Sequence, residues 1–357
     1  MSSKIHPWNQ DRWQVLTARP EQLSHGLLFA GPQGLGKRAF VHEFTSWLLC
    51  LNPTTGKQAC GQCSSCRHWE AGSHPDLHVL QSEADTQKFE TDPLSRHALR
   101  YQDERAGQRK HLSTIIAVDQ VRRLISNMQT RAHSAPNKVV VLLPAEAMNQ
   151  NAANSLLKLL EEPPEDSYLL LLSHQPSSLP ATIRSRCSVT EFRIPPRDRA
   201  LAWLEAQWVG KSNGKNNNEL VLGLAAGAPL RAQAYTEDGF LEHRKQMITD
   251  VTGLTQGTAD PVSCAKRWQD FGVNNVLAWL QGWVIDLIRL AMSNRPPLLN
   301  NPDVGTQLKD SARTFNLKRL YSFLQVVSEA RAQSGAVLDD GLLLEDVLIR
   351  WTRMGKK

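Results

Sequence analysis

Seven consecutive residues, Gly31-Pro32-Gln33-Gly34-Leu35-Gly36-Lys37, fit the pattern G-x-x-x-x-G-K. Such a loop cradles phosphate. Gly31, Gly34 and Gly36 let backbone N–H groups approach an anion, and Lys37 reaches toward its outer phosphates. The next residue, Arg38, breaks the pattern. A Ser or Thr hydroxyl there would bind Mg²⁺, whereas a guanidinium has no lone pair for a metal. The strand read at Val139–Leu143 runs into Pro144 and Ala145 rather than the acid that would share the metal. The first acid, Glu146, falls two or three positions late. Without the metal, charge on a transferred phosphoryl group is poorly stabilised. The residues therefore predict a degenerate loop with no Mg²⁺ and no intrinsic ATP hydrolysis. Weak nucleotide binding and a purely structural loop both stay open.

A second constellation is Cys50, Cys60, Cys63 and Cys66, spaced C-x9-C-x2-C-x2-C. A Cys-x2-Cys turn lets two thiolates meet one Zn²⁺, and four thiolates close a tetrahedral structural site. Such a site has no open position for water, so a staple is expected rather than a catalyst. His68 is the substitute ligand if one thiolate is not used. A redox pair would not need the other two cysteines. Cys187 and Cys264 lie far from the cluster and read as buried structural thiols.

These residues need a scaffold. The 357-residue chain allows two or three domains at about 100–200 residues each. With 41% apolar and 21% charged residues it is a folded chain rather than a disordered one. Six cysteines in this length do not make a secreted disulfide framework. No stretch has the 18 or more uncharged apolar residues of a membrane span. Gln281, Asp286 and Arg289 interrupt the closest one, Val276–Met292, which suits an amphipathic helix. The first residues lack the apolar core of a signal peptide, so a cytoplasmic protein is expected. A formal charge of +6 permits phosphate contact without demanding it.

Gly26–Ala30 reads as a strand, followed by the glycine loop and a helix over Arg38–Leu49, the start of an α/β unit. Leu77–Leu80, Val139–Leu143 and Tyr168–Leu172 read as further strands, the last two as buried parallel ones. Helices are expected over Val118–Met128 and Ala152–Glu162, the second stopped by Pro163-Pro164. Residues 82–110 are polar with little periodicity and read as a mobile surface insertion. After Arg193 the chain reads as all helical. Helices are expected at Arg197–Gln207, Glu219–Ala226, Pro229–Tyr235, Asn274–Ser293, Leu317–Ala332 and Gly341–Met354.

Several segments together resemble one family. They are His25–Gly31, the four-cysteine insert, Gly72-Ser73-His74-Pro75-Asp76-Leu77, the run Ala153–Pro164 (ANSLLKLLEEPP) and Leu179–Cys187, which ends in Ser185-Arg186-Cys187. Pro7-Trp8 and Gly341–Asp346 fit as well. The chain resembles bacterial DNA polymerase III clamp-loader subunits, most closely the delta-prime type. The resemblance is densest over residues 25–187. It implies an AAA+ P-loop domain with a parallel sheet at 1–192, carrying the zinc-binding insert at 50–66 and the polar insertion at 82–110. A small helical lid at 193–237 and a helical collar at 238–357 would follow.

The resemblance also implies partners: gamma or tau and delta subunits in a hetero-pentamer, the sliding clamp, and primed DNA reached through the assembly. DNA-directed DNA polymerase (nucleotidyltransferase) activity would belong to the holoenzyme. This chain would be a non-hydrolysing stator. Arg186, in the Ser-Arg-Cys motif, would be an arginine finger lent to the neighbouring ATPase. Read without the motif, an Arg after a buried strand often just caps carbonyls. Ser173 sits where motor subunits carry a polar sensor. Arg231 lies near their lid arginine, about one position out of register. Asn154 and Lys158 read as structural. Arg122 and Arg123 are candidates for DNA contact or a solvated helix face.

Two alternatives remain at this stage. An active gamma-type clamp-loader ATPase is favoured by Lys37. An unrelated zinc-stapled nucleic-acid-binding protein would bind DNA alone, with a steep salt dependence.

Overall fold

The computed structural model describes residues 5–55, 57–103, 112–129, 132–207, 215–237, 239–293, 296, 298–334 and 339–355. The chain forms two compact units, Met1–Ile194 and Pro195–Lys357.

The first unit is built on a parallel sheet. Its elements are α1 (Gln10–Ala18), β1 (Gly26–Ala30), α2 (Lys37–Leu49), α3 (Ser64–Ala71), β2 (Leu77–Leu80), α4 (Glu83–Lys88), α5 (Pro93–Ala98), α6 (Val118–Met128), β3 (Lys138–Leu142), α7 (Gln150–Glu161), β4 (Ser167–Ser173), α8 (Ala181–Arg184) and β5 (Ser188–Glu191). The strand order is β2-β3-β4-β1-β5. The register sets Gly26 opposite Leu169 and Ala30 opposite Ser173. On the other side of β1, Leu27 lies opposite Ser188. All residues of β1, β2 and β3 are buried, and apart from His78 and Lys138 the side chains of β2 and β3 are apolar. This is the α/β P-loop sheet expected, with the glycine loop between β1 and α2.

β5 lies outside the strands expected from sequence. It has four residues, three of them exposed, on the edge of the sheet, so it carries no apolar run to reveal it. The helix expected from Ala152 begins at Gln150, because the Asn149 side chain caps it by accepting from the Ala152 N–H at 2.8 Å.

The reading of 82–110 as a mobile insertion needs correction over its described part. Ser82 caps α4, accepting from the Asp85 N–H at 3.1 Å. Asp92 caps α5, accepting from the Leu94 N–H at 3.1 Å, with Pro93 in the first helical turn. Leu94, Ala98 and Tyr101 are buried. The Tyr101 hydroxyl lies 2.6 Å from His78 Nδ1 on β2. Caps at both helix starts and an apolar anchor give this polar stretch its order. Residues 104–110 lie outside the described residues.

The second unit is helical among its described residues: α9 (Arg197–Gln207), α10 (Lys215–Leu224), α11 (Pro229–Glu237), α12 (Phe240–Gln256), α13 (Pro261–Gln269), α14 (Val273–Met292), α15 (Gly305–Ala312), α16 (Leu317–Gln333) and α17 (Asp340–Gly355). One continuous core runs through it and buries Trp268, Trp279, Trp283 and Trp351. Asp286 on α14 is not part of a polar face. It is fully buried, and its carboxylate accepts from the backbone N–H and side-chain amide of both Asn300 and Asn301. Those four donors replace the water it has lost.

Candidate functional site

The glycine loop has the backbone its residues predict. Gly31, Gly34 and Gly36 have φ of 147°, 84° and 81°. A Cβ on Gly31 would lie 2.2 Å from the Phe192 carbonyl oxygen, and one on Gly36 would lie 2.3 Å from the His6 ring. The N-terminal segment secures the loop further. Trp8 Nε1 and Asn9 Nδ2 both donate to the Leu35 carbonyl, at 3.0 and 2.8 Å.

Lys37 is buried and turned back on its own loop. Its Nζ donates to the carbonyls of Gly31 (2.5 Å) and Pro32 (2.7 Å). Burial lowers its pKa to about 8, partly offset by the Glu146 carboxylate. An arriving phosphate would have to draw the ammonium away from two good acceptors.

Glu146 stays beyond the end of β3, as its place in the sequence implies. It lies in the short turn Ala145–Ala147 that follows β3. Its Oε1 accepts from the His174 N–H at 2.8 Å, and its charge acts on Lys37. Its carboxylate ties the turn after β3 to the residue that follows β4. Glu146 Oε2 and His174 Nδ1 are buried without a hydrogen-bond partner among the described residues. Burial, then the charges of Lys37, Arg38 and Lys88, hold the His174 imidazole down to about 3.

The hydroxyl position of the loop is filled by Arg38, and the stretch from β2 through α5 encloses its guanidinium. Nε donates to Asp92 Oδ2 at 2.6 Å and Nη2 to Ser95 Oγ at 2.9 Å. The ring of Phe89 lies below, 4.0 Å from guanidinium carbon to ring centroid. The Gln81 amide, oriented to satisfy both neighbours, accepts from Arg38 at 2.9 and 3.1 Å and donates to Ser95. Sequence reasoning finds Arg38 but none of this cage. The Asp92-Pro93 helix start is the available signal.

Arg186 follows α8 on the surface. Its Nη1 donates to the Thr182 carbonyl at 3.0 Å, and its Nη2 lies 2.5 Å from Glu161 Oε1 at the end of α7. Cys187 behind it is buried, and burial pushes its thiol up to about 11. Arg184 is exposed.

The four cysteine sulfurs all lie within 4.8 Å of one another. Three of the separations are 3.7, 3.9 and 4.0 Å. A tetrahedron with metal–sulfur bonds of about 2.3 Å has edges of about 3.8 Å, so the donor set fits Zn²⁺. Backbone N–H groups of Cys60, Cys63 and Cys66 point at the preceding sulfurs, at 3.2–3.4 Å. Backbone N–H groups of Gln62 and Cys63 pull the Cys60 thiol down to about 6, toward the thiolate a metal needs. His68 is not in this set. Ser65 on α3 ties the module to the end of α2 and to the loop before β2, donating to the Leu49 carbonyl at 2.5 Å and lying 2.8 Å from His74 Nε2.

The remaining candidates make local contacts. Ser173 is buried, and its Oγ accepts from the Gln175 N–H. Arg123 caps the Tyr101 carbonyl at 2.5 Å, and Arg122 pairs with Asp119 on an exposed helix face. Asn154 accepts from Gln150 on α7. Arg231 lies over the Tyr235 ring in the second unit.

Comparisons with known proteins give consistent matches. The family model described as DNA polymerase III, delta subunit, matches residues 10–196, and the model for the C-terminal part of that family matches 238–353. The chain is 33% identical to the DNA polymerase III subunit delta′ of Pseudomonas aeruginosa over 353 residues, covering 98% of both chains. It is 36% identical to the Yersinia pestis subunit delta′ over 290 residues, 80% of this chain and 76% of that one. Against the Escherichia coli subunit delta′ it is 26% identical over 349 residues, 97% of this chain and 94% of that one.

Proposed function

The chain belongs to the DNA polymerase III delta-prime subunit family, and from that premise we propose that it is the non-hydrolysing stator of a clamp loader. In this reading it joins gamma or tau and delta subunits in a cytoplasmic hetero-pentamer that places the sliding clamp on primed DNA. Residues 1–192 act as the AAA+ domain, 193–237 as the lid and 238–357 as the collar. No helix among the described residues is long and apolar enough to cross a membrane.

The observation that carries the non-hydrolysing role is Arg38. A cation held by Asp92, Ser95 and Phe89 stands where an active loop offers Mg²⁺ a hydroxyl. The chemistry then falls to Arg186, which would face the γ-phosphate of a nucleotide bound by the neighbouring subunit. A guanidinium placed in trans neutralises charge as the phosphoryl group departs, an effect worth about 10³–10⁵ in rate in other NTPases. Cys50, Cys60, Cys63 and Cys66 would hold Zn²⁺ as a staple, fixing the turn between α2 and α3.

The test is clamp- and DNA-stimulated ATP turnover by the reconstituted loader carrying this chain as wild type or Arg186→Ala, with the isolated chain alongside. The stator reading expects an inactive isolated chain and at least a tenfold loss with Arg186→Ala. A second reading, an active gamma-type ATPase, is favoured by Lys37, which the loop keeps. Turnover by the isolated chain with Mg²⁺ would select it.

A further inference from the structure

Arg186 is a long side chain on a surface turn, and something must aim it. Its backbone is already fixed. The Arg186 N–H donates to the Ile183 carbonyl at 3.1 Å. Its own carbonyl presses on Gly26 at the start of β1, where a Cβ would come within 3.1 Å of it and within 3.2 Å of Leu160. His25 Nε2 lies 2.8 Å from the Leu160 carbonyl. The end of α7, the start of β1 and the turn carrying Arg186 are therefore clamped together by main chain and core contacts. That clamp places Glu161 beside the guanidinium.

Among the described residues Glu161 is the one carboxylate within ion-pair distance of Arg186. The two side chains are 47% and 36% exposed. A pair this open adds little to folding stability. Its effect lies in direction. Nη1 is held by the Thr182 carbonyl and Nη2 by Glu161, so the planar fork has two fixed points, and its other N–H donors remain for a ligand.

We infer that Glu161 is a positioning residue for Arg186, holding the guanidinium in the direction in which it meets the phosphate of a neighbouring subunit's nucleotide. The inference rests on the trans-finger reading above. Without Glu161 the fork keeps one anchor and samples several rotamers, and misplacement of a catalytic group is costly in rate.

The experiment is ATP turnover by the reconstituted loader with this chain as wild type, Glu161→Gln, Glu161→Asp, Arg186→Ala and the Glu161→Gln/Arg186→Ala pair. Glu161→Gln is expected to lower kcat by about 3- to 10-fold with KM for ATP unchanged. Glu161→Asp, which keeps the charge, is expected to retain more of the rate than Glu161→Gln. In the Arg186→Ala background, Glu161→Gln is expected to add nothing. Gel filtration of each assembly and thermal melting of each chain separate this from lost folding. If Glu161→Asp distorts the turn, the isosteric Gln variant decides. The inference is overturned if Glu161→Gln leaves kcat unchanged, if it raises KM instead, or if it costs as much without Arg186 as with it. An Arg186→Ala loader at full rate would overturn the finger reading first, and this inference with it.

Discussion

Asp92 Oδ2 accepts from Arg38 Nε at 2.6 Å, while Oδ1 of the same carboxylate accepts from the Leu94 N–H at 3.1 Å. One side chain thus neutralises the cation at the start of α2 and caps α5, more than fifty residues further along the chain. This explains why a short polar segment is ordered: its helix start is bound to the glycine loop.

Removal of that carboxylate should be felt at both places. Asp92→Ala is expected to cost about 1–3 kcal/mol, from the lost cap and the stranded guanidinium. Urea denaturation measures it directly. An unchanged midpoint would show that the cage contributes nothing to the fold.

Gly31→Ala should be far worse than an ordinary surface change. The new methyl group would meet the Phe192 carbonyl at 2.2 Å, at a φ of 147° that L side chains avoid. A loss of about 2–4 kcal/mol is expected. If thermal melting shows a stable Gly31→Ala protein, the loop is looser than the Phe192 contact implies.

The cysteine cluster is expected to bind Zn²⁺ in a one-to-one ratio, counted by metal analysis of the purified chain. Cys63→Ser or prolonged chelation should release the metal and lower Tm by about 5 °C or more, since such a site contributes folding energy. A metal-free wild-type chain with the same Tm would remove zinc from the description.

Acid should unfold the protein early. Burial depresses His74, His78, His97 and His174 from 6.5 to about 4, 3, 4 and 3. The unfolded chain therefore binds protons first as pH falls. Stability is full above pH 6.5 and is lost down to pH 3–4, where the folded imidazoles also charge. By pH 5 each contributes a loss of about 1–2 kcal/mol. Denaturant midpoints measured from pH 7.5 to 5 in zinc-replete buffer test this. A flat profile would mean that these imidazoles take up protons in the fold over the same pH range as in the unfolded chain.

What the residues reveal in order differs from what they reveal in space. β1, β3 and β4 are legible because a strand buried on both faces must be apolar throughout. The glycine loop and the four cysteines are legible because their chemistry depends on local spacing. β5 is hidden because an edge strand buries too little to leave a pattern. Counting along β3 finds no acid at its end, and the bond from the His174 N–H to Glu146 joins residues 28 positions apart with no local signal. Glu161 and Arg186 stand 25 positions apart, and nothing local links them. Asp286 reads as an interruption of an apolar face because its four donors lie on the far side of a loop.

The position of β1 has a consequence for how the chain comes off the ribosome. Gly26–Ala30 is made well before its neighbours, Ser167–Ser173 and Ser188–Glu191. At about 5–20 residues per second, roughly ten to thirty seconds of translation separate the strand from its second neighbour. For that interval Leu27, Leu28 and Phe29 have no sheet to enter. The nascent chain should therefore depend on chaperones most heavily before residue 191 emerges, and much less afterwards.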